Sequence, residues 1–186
     1  MKFETQIGLS GTIAAYQLTL DNVPVANPAA PGTQMQTGQQ QSRGIEVDVI
    51  WQPTRAWSIL GSYAYAQAVV TKDSILPVNT WLAQVPRNSG RLWTNYTFQD
   101  GTAEGLSVGA GLYGASPQAV VVGGPWKSPG YVTFDARVAY PIKSWTLSLV
   151  ARNLANQRYW VPYSYLDGRV APGPGRTVFA TAAVRF

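Results

Sequence analysis

Apolar and polar residues alternate with a period of two along most of this 186-residue chain, and in four stretches the charges avoid the apolar phase. A period of two sends successive side chains to opposite faces of an extended strand. In one stretch Ile45, Val47, Val49 and Trp51 share a phase, while Glu46 and Asp48 share the other with Gly44. Downstream, Val132, Phe134, Ala136, Val138 and Tyr140 oppose Thr133, Asp135 and Arg137. Leu147, Leu149 and Ala151 oppose Ser148 and Arg152, and Val178, Ala180, Ala182, Val184 and Phe186 oppose Thr177, Thr181 and Arg185. One face is dry and tolerates no charge.

About eight such segments are separated by Gly and Pro, roughly within 7–21, 43–53, 57–71, 85–99, 105–116, 129–140, 145–158 and 175–186. Helical periodicity is absent. Segments of about ten residues exceed the usual soluble strand of about five or six and suit a tilted strand crossing a bilayer. No window approaches the roughly 18 uninterrupted apolar residues of a membrane-spanning helix, so a crossing must use strands. Charged residues make up only 12% of the chain, about half the soluble average of about 25%. The expected fold is all-β: an antiparallel up-and-down transmembrane β-barrel segment of about eight strands.

A one-sided soluble sheet also alternates, and the connections separate the two readings. Short ones around Pro53-Thr54-Arg55, Asp100-Gly101 and Pro141-Ile142-Lys143 alternate with long ones around 22–42, 72–84, 117–128 and 159–174. Outer-membrane barrels have short periplasmic turns and longer extracellular loops. Trp51, Trp57, Trp145, Trp160 and Phe186 fall near strand ends, where aromatic girdles form.

The chain has no Cys and no His, which removes thiolate nucleophiles, imidazole bases, disulfide frameworks and the usual zinc and haem ligands. No catalytic residue and no metal site is expected. The net charge of +5 comes from scattered residues, so no nucleic-acid footprint is expected. Met1-Lys2-Phe3-Glu4 leads directly into alternating sequence without the apolar segment of a signal peptide, so the chain reads as a piece of an exported protein.

Three stretches carry a family resemblance: Pro129-Gly130-Tyr131-Val132-Thr133-Phe134-Asp135; Leu149 to Tyr159, with Asn153-Leu154 and Asn156-Gln157-Arg158-Tyr159; and Gly173-Pro174-Gly175-Arg176 running to Phe186. Arg43-Gly44-Ile45-Glu46-Val47, Gly61-Ser62-Tyr63-Ala64-Tyr65 and Val85-Pro86-Arg87-Asn88 are similar to earlier strands of the same group. Together they resemble the C-terminal barrel of TonB-dependent outer-membrane receptors that import ferric siderophores. The resemblance implies that residues 1–186 are part of such a barrel, with plug domain and signal peptide absent. It implies a bacterial outer-membrane location and a transporter rather than an enzyme. Its partners would be outer-membrane lipid, a ferric siderophore as cargo with no resident cofactor, the barrel-assembly machinery, and the TonB energy complex through the absent plug. Phe186 stands where the family carries its assembly signal. Two alternatives stay open: a complete small eight-stranded barrel acting as anchor or adhesin, and a soluble carbohydrate-binding β-sandwich.

Trp81, Trp126, Tyr159, Trp160, Tyr163 and Tyr165 lie in the long loops and are the candidate ligand contacts, by stacking on an incoming chelate. Glu46, Asp48, Arg91, Asp135, Arg137, Arg152 and Arg185 are assigned to a polar lumen. There the carboxylates would pair across strands with Arg91, Arg137, Arg152 or Arg185, which explains Glu46 and Asp48 better than a glycosidase acid–base pair. Gly109-Ala110-Gly111-Leu112-Tyr113-Gly114 matches a dinucleotide-binding fingerprint by letter, but Ala115-Ser116-Pro117 excludes the helix that fingerprint requires. Small residues easing close packing in a strand explain it instead.

Overall fold

The computed structural model describes residues 1–163 and 168–185. Thirteen strands follow in order: β1 (Lys2–Glu4), β2 (Leu9–Ala26), β3 (Gln34–Thr54), β4 (Trp57–Lys72), β5 (Asn88–Thr97), β6 (Ser107–Ala115), β7 (Gln118–Ala119), β8 (Lys127–Ser128), β9 (Tyr131–Ile142), β10 (Trp145–Arg152), β11 (Trp160–Pro162), β12 (Val170–Pro172) and β13 (Thr177–Val184). Nine of them form one antiparallel sheet in the order β1-β2-β3-β4-β5-β6-β9-β10-β13. Each long strand pairs with the next long strand, as an up-and-down wall demands. Eight long strands match the expectation, and short β1 adds a ninth. β7–β8 and β11–β12 are small hairpins outside that sheet.

Two alternatives fail on this topology. A sandwich needs two facing sheets, whereas the wall is one sheet with two minor hairpins. A closed small barrel needs its first and last strands to pair, yet β1 and β13 lie at opposite edges, and among the described residues the sheet stays open.

The register makes the two faces explicit, because directly paired residues point the same way. One row runs Ile13, Val47, Tyr63, Gly90, Gly114, Val132. Another runs Val108, Val138, Leu149, Ala180. The side chains of this face stay open: Leu149 is 52% exposed and Leu92 47%. The intervening rows carry the charges, as in Thr12, Asp48, Ser62, Arg91, Tyr113, Thr133. A charge on the apolar face at mid-bilayer would cost about 2–4 kcal/mol, which accounts for the segregation. The glycine fingerprint also resolves here. The Trp93 indole lies across Gly109 and Gly111, and a Cβ on Gly109 would come within 2.7 Å of it.

The apolar band has a lower and an upper limit. Trp51, Trp57, Tyr96, Tyr140 and Trp145 line the end with the short turns; the Trp51 and Trp57 rings lie 6.4 Å apart, and the Trp57 indole N–H donates to Thr94 Oγ1 at 2.7 Å. Trp160, expected in a girdle, instead sits in the β11–β12 hairpin off the wall, and Phe186 lies outside the described residues. Above Ile45 the same phase turns polar with Arg43, whose Nε donates to Gln67 Oε1 at 2.9 Å. From Arg43 to Trp51 is about 26 Å of strand at ~3.3 Å per residue, the scale of a bilayer's apolar core once tilt is allowed for.

The wall continues beyond that band. The expected long loop at 22–42 is mostly strand: β2 runs to Ala26 and β3 begins at Gln34, leaving 27–33 as the connection. Alternation disappears in Gln36-Thr37-Gly38-Gln39-Gln40-Gln41, which lies above the apolar band. At the opposite end, the short turn expected at Asp100-Gly101 is a longer connection containing a 3₁₀ turn, Gly101–Ala103.

Candidate functional site: the loop crown

The small hydrophobic core lies mainly at the loop end of the sheet. Val25, Ala68, Val69, Val70, Ala119 and Val120 are buried there, in strand tops and the loops above them. Residues 73–87 climb β4 as an irregular strand: Val70 N–H donates to Thr80 O at 2.8 Å, Leu82 N–H to Ala68 O at 3.0 Å and Ala66 N–H to Arg87 O at 2.9 Å. Gln84 N–H reaches Ala119 O at 3.0 Å, tying this loop to the β7–β8 hairpin. The Ser128 hydroxyl then donates to Trp160 O, tying that hairpin to β11. Three loops that the sequence presents separately are therefore joined edge to edge.

Asp73 opens the first of these loops. Its carboxylate accepts the backbone N–H groups of Ile75 at 2.8 Å and Leu76 at 2.9 Å, and these bonds, Leu76's first, hold its pKa below the ordinary carboxylate value.

The third loop is built on an asparagine. Asn153 is only 4% exposed, and its amide is fully used. Nδ2 donates to Gln157 O at 2.9 Å and Pro174 O at 3.0 Å, while Oδ1 accepts from Gln157 N–H at 2.8 Å. The Asn153 backbone N–H donates to Asp135 Oδ1 at 2.9 Å. Asn153 and Asn156 take φ of 48° and 51°, a left-handed conformation that Asn tolerates better than most residues. Asn156 Oδ1 accepts Arg176 N–H at 3.1 Å. The Asn-Leu…Asn-Gln-x-Tyr motif is thus a clamp between the top of β10 and the start of β13.

The six candidate ligand contacts separate into distinct environments. Tyr159 stacks on Tyr131 with ring centroids 4.1 Å apart and an interplanar angle of 22°. Gly173 packs under the Tyr159 ring, where a Cβ would collide with it. Burial, with the Asp135 charge second, pushes the Tyr159 phenol above its ordinary pKa. Tyr159 is therefore committed to packing. Trp81 is half-buried, with the Arg87 guanidinium 3.2 Å from its ring centroid and Lys127 Nζ at 5.2 Å. Trp126, Trp160 and Tyr163 are 72%, 47% and 46% exposed. Tyr165 lies outside the described residues.

Of the charges assigned to the lumen, Glu46, Asp48, Arg91, Asp135, Arg137 and Arg152 all lie on the polar face of the wall. Arg185 follows β13, with its N–H on Ser144 O at 2.9 Å. Among the described residues no ion pair joins them, contrary to the pairing expected from sequence. In the register Ser62 stands between Asp48 and Arg91. Asp135 binds the Asn153 clamp instead, Arg91 lies 5.9 Å from the Tyr113 ring centroid and Arg152 5.4 Å from that of Phe179.

Sequence reasoning missed Arg87. It carries the one buried side-chain polar atom without a hydrogen-bond partner among the described residues, Nε. The stretch Val85-Pro86-Arg87-Asn88 is visible in the sequence as a motif, but the role of Arg87 depends on a tertiary contact with Trp81.

A charge-free outer face, a polar opposite face, an aromatic belt at the short-turn end and a folded crown at the other define a transmembrane β-barrel wall of the outer-membrane type. The family described as TonB dependent receptor-like, beta-barrel, matches residues 2–154. The chain belongs to this family of outer-membrane receptors. It is 33% identical to the metal-pseudopaline receptor CntO of Pseudomonas aeruginosa, over 96% of this chain and 25% of that protein. It is 31% identical to the ferrichrome outer membrane transporter/phage receptor of Escherichia coli K12, over 94% of this chain and 24% of that protein. The crystal structure of the ferric-catecholate import receptor Fiu of E. coli superposes with a TM-score of 0.78 at 26% identity, covering all of this chain and 26% of that one. The chain spans about a quarter of the length of these relatives.

Proposed function

We propose that this chain supplies part of the barrel wall and extracellular crown of an outer-membrane importer of ferric siderophores or related metal chelates. The observation that carries the reading is the union of a charge-free membrane face with a crown whose three loops are joined and present exposed aromatic groups. The relatives, named for metal-pseudopaline, ferrichrome and ferric catecholates, support metal chelates as the cargo class. Trp126, Trp160 and Tyr163 are the crown aromatics open to stacking on a chelate, and Tyr165 joins them from sequence. The crown would grip the organic chelator rather than the metal, which accords with a chain that has no His or Cys. Energy coupling through TonB, and recognition of Phe186 by the barrel-assembly machinery, complete the proposal.

The test is growth and labelled-iron uptake in a receptor-deficient strain expressing the full-length protein that carries this chain. Hydroxamate, catecholate and carboxylate chelates of iron are supplied in turn. Uptake of one class, lost when residues 118–128 are deleted, is the expected result. A correctly inserted protein that restores uptake of none of them would refute the proposal.

A further inference from the structure

The crown holds one group of residues that the wall and the clamp do not use. Arg87, at the foot of the loop that climbs β4, lays its guanidinium 3.2 Å from the Trp81 ring centroid. Lys127, from strand β8 of the neighbouring hairpin, places Nζ 5.2 Å from the same centroid. Two cations from two loops thus share one indole. Each is attracted to the ring's negative face, but they repel one another. Among the described residues neither has a carboxylate partner, and Arg87 Nε is buried with no hydrogen-bond acceptor. The nearest acidic residue of that loop, Asp73, already accepts two backbone N–H groups.

A stacked guanidinium retains its planar fork of donors for an oxygen ligand, because stacking uses the face of the group and hydrogen bonding uses its edge. Lys127 is exposed and adds a second, compact charge over the same ring. We propose that Trp81, Arg87 and Lys127 form an oxyanion-binding site in the crown, taking a phosphate or carboxylate group. That chemistry has two sources outside the cell: a soluble anionic chelate or chelator, and a phosphorylated lipid headgroup of the membrane around the barrel. Both satisfy the same donors. The site does not depend on the importer reading, since its assay is equilibrium binding and not uptake.

The site also explains why two loops meet at Trp81. Both cations lie over the Trp81 indole, so an anion that neutralises both would fasten the 73–87 loop to the β7–β8 hairpin. Binding at this point would add to the Gln84–Ala119 hydrogen bond that already joins them.

The experiment titrates the full-length protein that carries this chain, purified in detergent, with citrate and with inorganic phosphate, following indole fluorescence. In parallel, the same protein is reconstituted in phosphatidylcholine vesicles with and without phosphatidylglycerol, and headgroup contact is read by cross-linking from a probe at position 125. Arg87→Gln should weaken anion binding at least ~10-fold and Lys127→Gln about 3- to 5-fold. Arg87→Lys, which keeps the charge but loses the fork, should fall between wild type and Arg87→Gln. Arg55→Gln, on the turn at the far end of the wall, should bind as wild type does. Heat-modifiable migration and the far-ultraviolet spectrum establish that each variant is folded. Citrate or phosphate binding lost in Arg87→Gln supports the site with a soluble source. Phosphatidylglycerol contact alone, lost in the same variant, supports it with a lipid source. Wild-type protein that binds neither, or a folded Arg87→Gln that binds both unchanged, overturns the proposal.

Discussion

The wall and the crown of this chain are stabilised in opposite ways. In the wall, large apolar side chains such as Ile45 and Leu149 are about half exposed, and backbone ladders bind strand to strand. In the crown, small residues such as Val69, Val70 and Ala119 are buried, and cohesion comes from side-chain clamps and loop-to-loop hydrogen bonds. One region needs lipid to complete it, whereas the other carries its own core. An apolar-face wall position such as Leu149 therefore tolerates other apolar side chains and rejects charge, while a buried crown position such as Val70 rejects changes of shape.

That contrast can be broken deliberately. The largest effect is expected from Leu149→Arg, which puts a charge on the lipid face at a cost of about 2–4 kcal/mol and should be absent for Leu149→Phe. Equilibrium unfolding in lipid vesicles measures both. Asn153→Ala should come next. It leaves the N–H of Gln157 and the carbonyls of Gln157 and Pro174 without their amide partner, costing about 1–3 kcal/mol. Its mark should be faster amide exchange at 153–157 and 175–176, with the β2–β4 wall unchanged. An equal loss of protection in that wall would erase the distinction between the regions.

Gly109→Val should cost about 1–3 kcal/mol by displacing the Trp93 indole, read as a shift in indole fluorescence. The smallest effect concerns pH. The Tyr159 phenol titrates above its ordinary value in the folded crown, so the folded state holds that proton more tightly than the unfolded chain does. The stabilisation is complete below about pH 10 and is lost as pH rises through the folded pKa. Phenolate absorbance compared between wild type and Tyr159→Phe should show one late-titrating group. Thermal stability should fall over the same alkaline range more steeply in wild type than in Tyr159→Phe.

The wall was legible in the sequence because lipid enforces a rule on every second residue. Glu46, Asp48, Asp135 and Arg137 could be placed on one face by counting, and the register agrees. Above the apolar band the rule lapses, which is why the Gln-rich top of β3 read as loop and proved to be strand. In the crown the motif of Asn153 and Asn156 was visible, but its meaning was not. Each of its hydrogen bonds to Pro174, Asp135 and Arg176 spans a sequence separation that no local pattern encodes. Arg87 and Trp81 belong to the same class, six positions apart in sequence and face to face only because the loop folds back.

The β2–β3 hairpin rises beside the joined loops, tied to the 73–87 loop by the Ser74 hydroxyl on Ala26 O at 2.5 Å. Its tip at 27–33 turns through left-handed Gly32, where a Cβ would have no atom within 4 Å. On a cell surface this makes the tip a natural display platform. A peptide epitope spliced between Ala29 and Thr33 would be held at the end of a two-stranded mast, within reach of antibodies on intact cells.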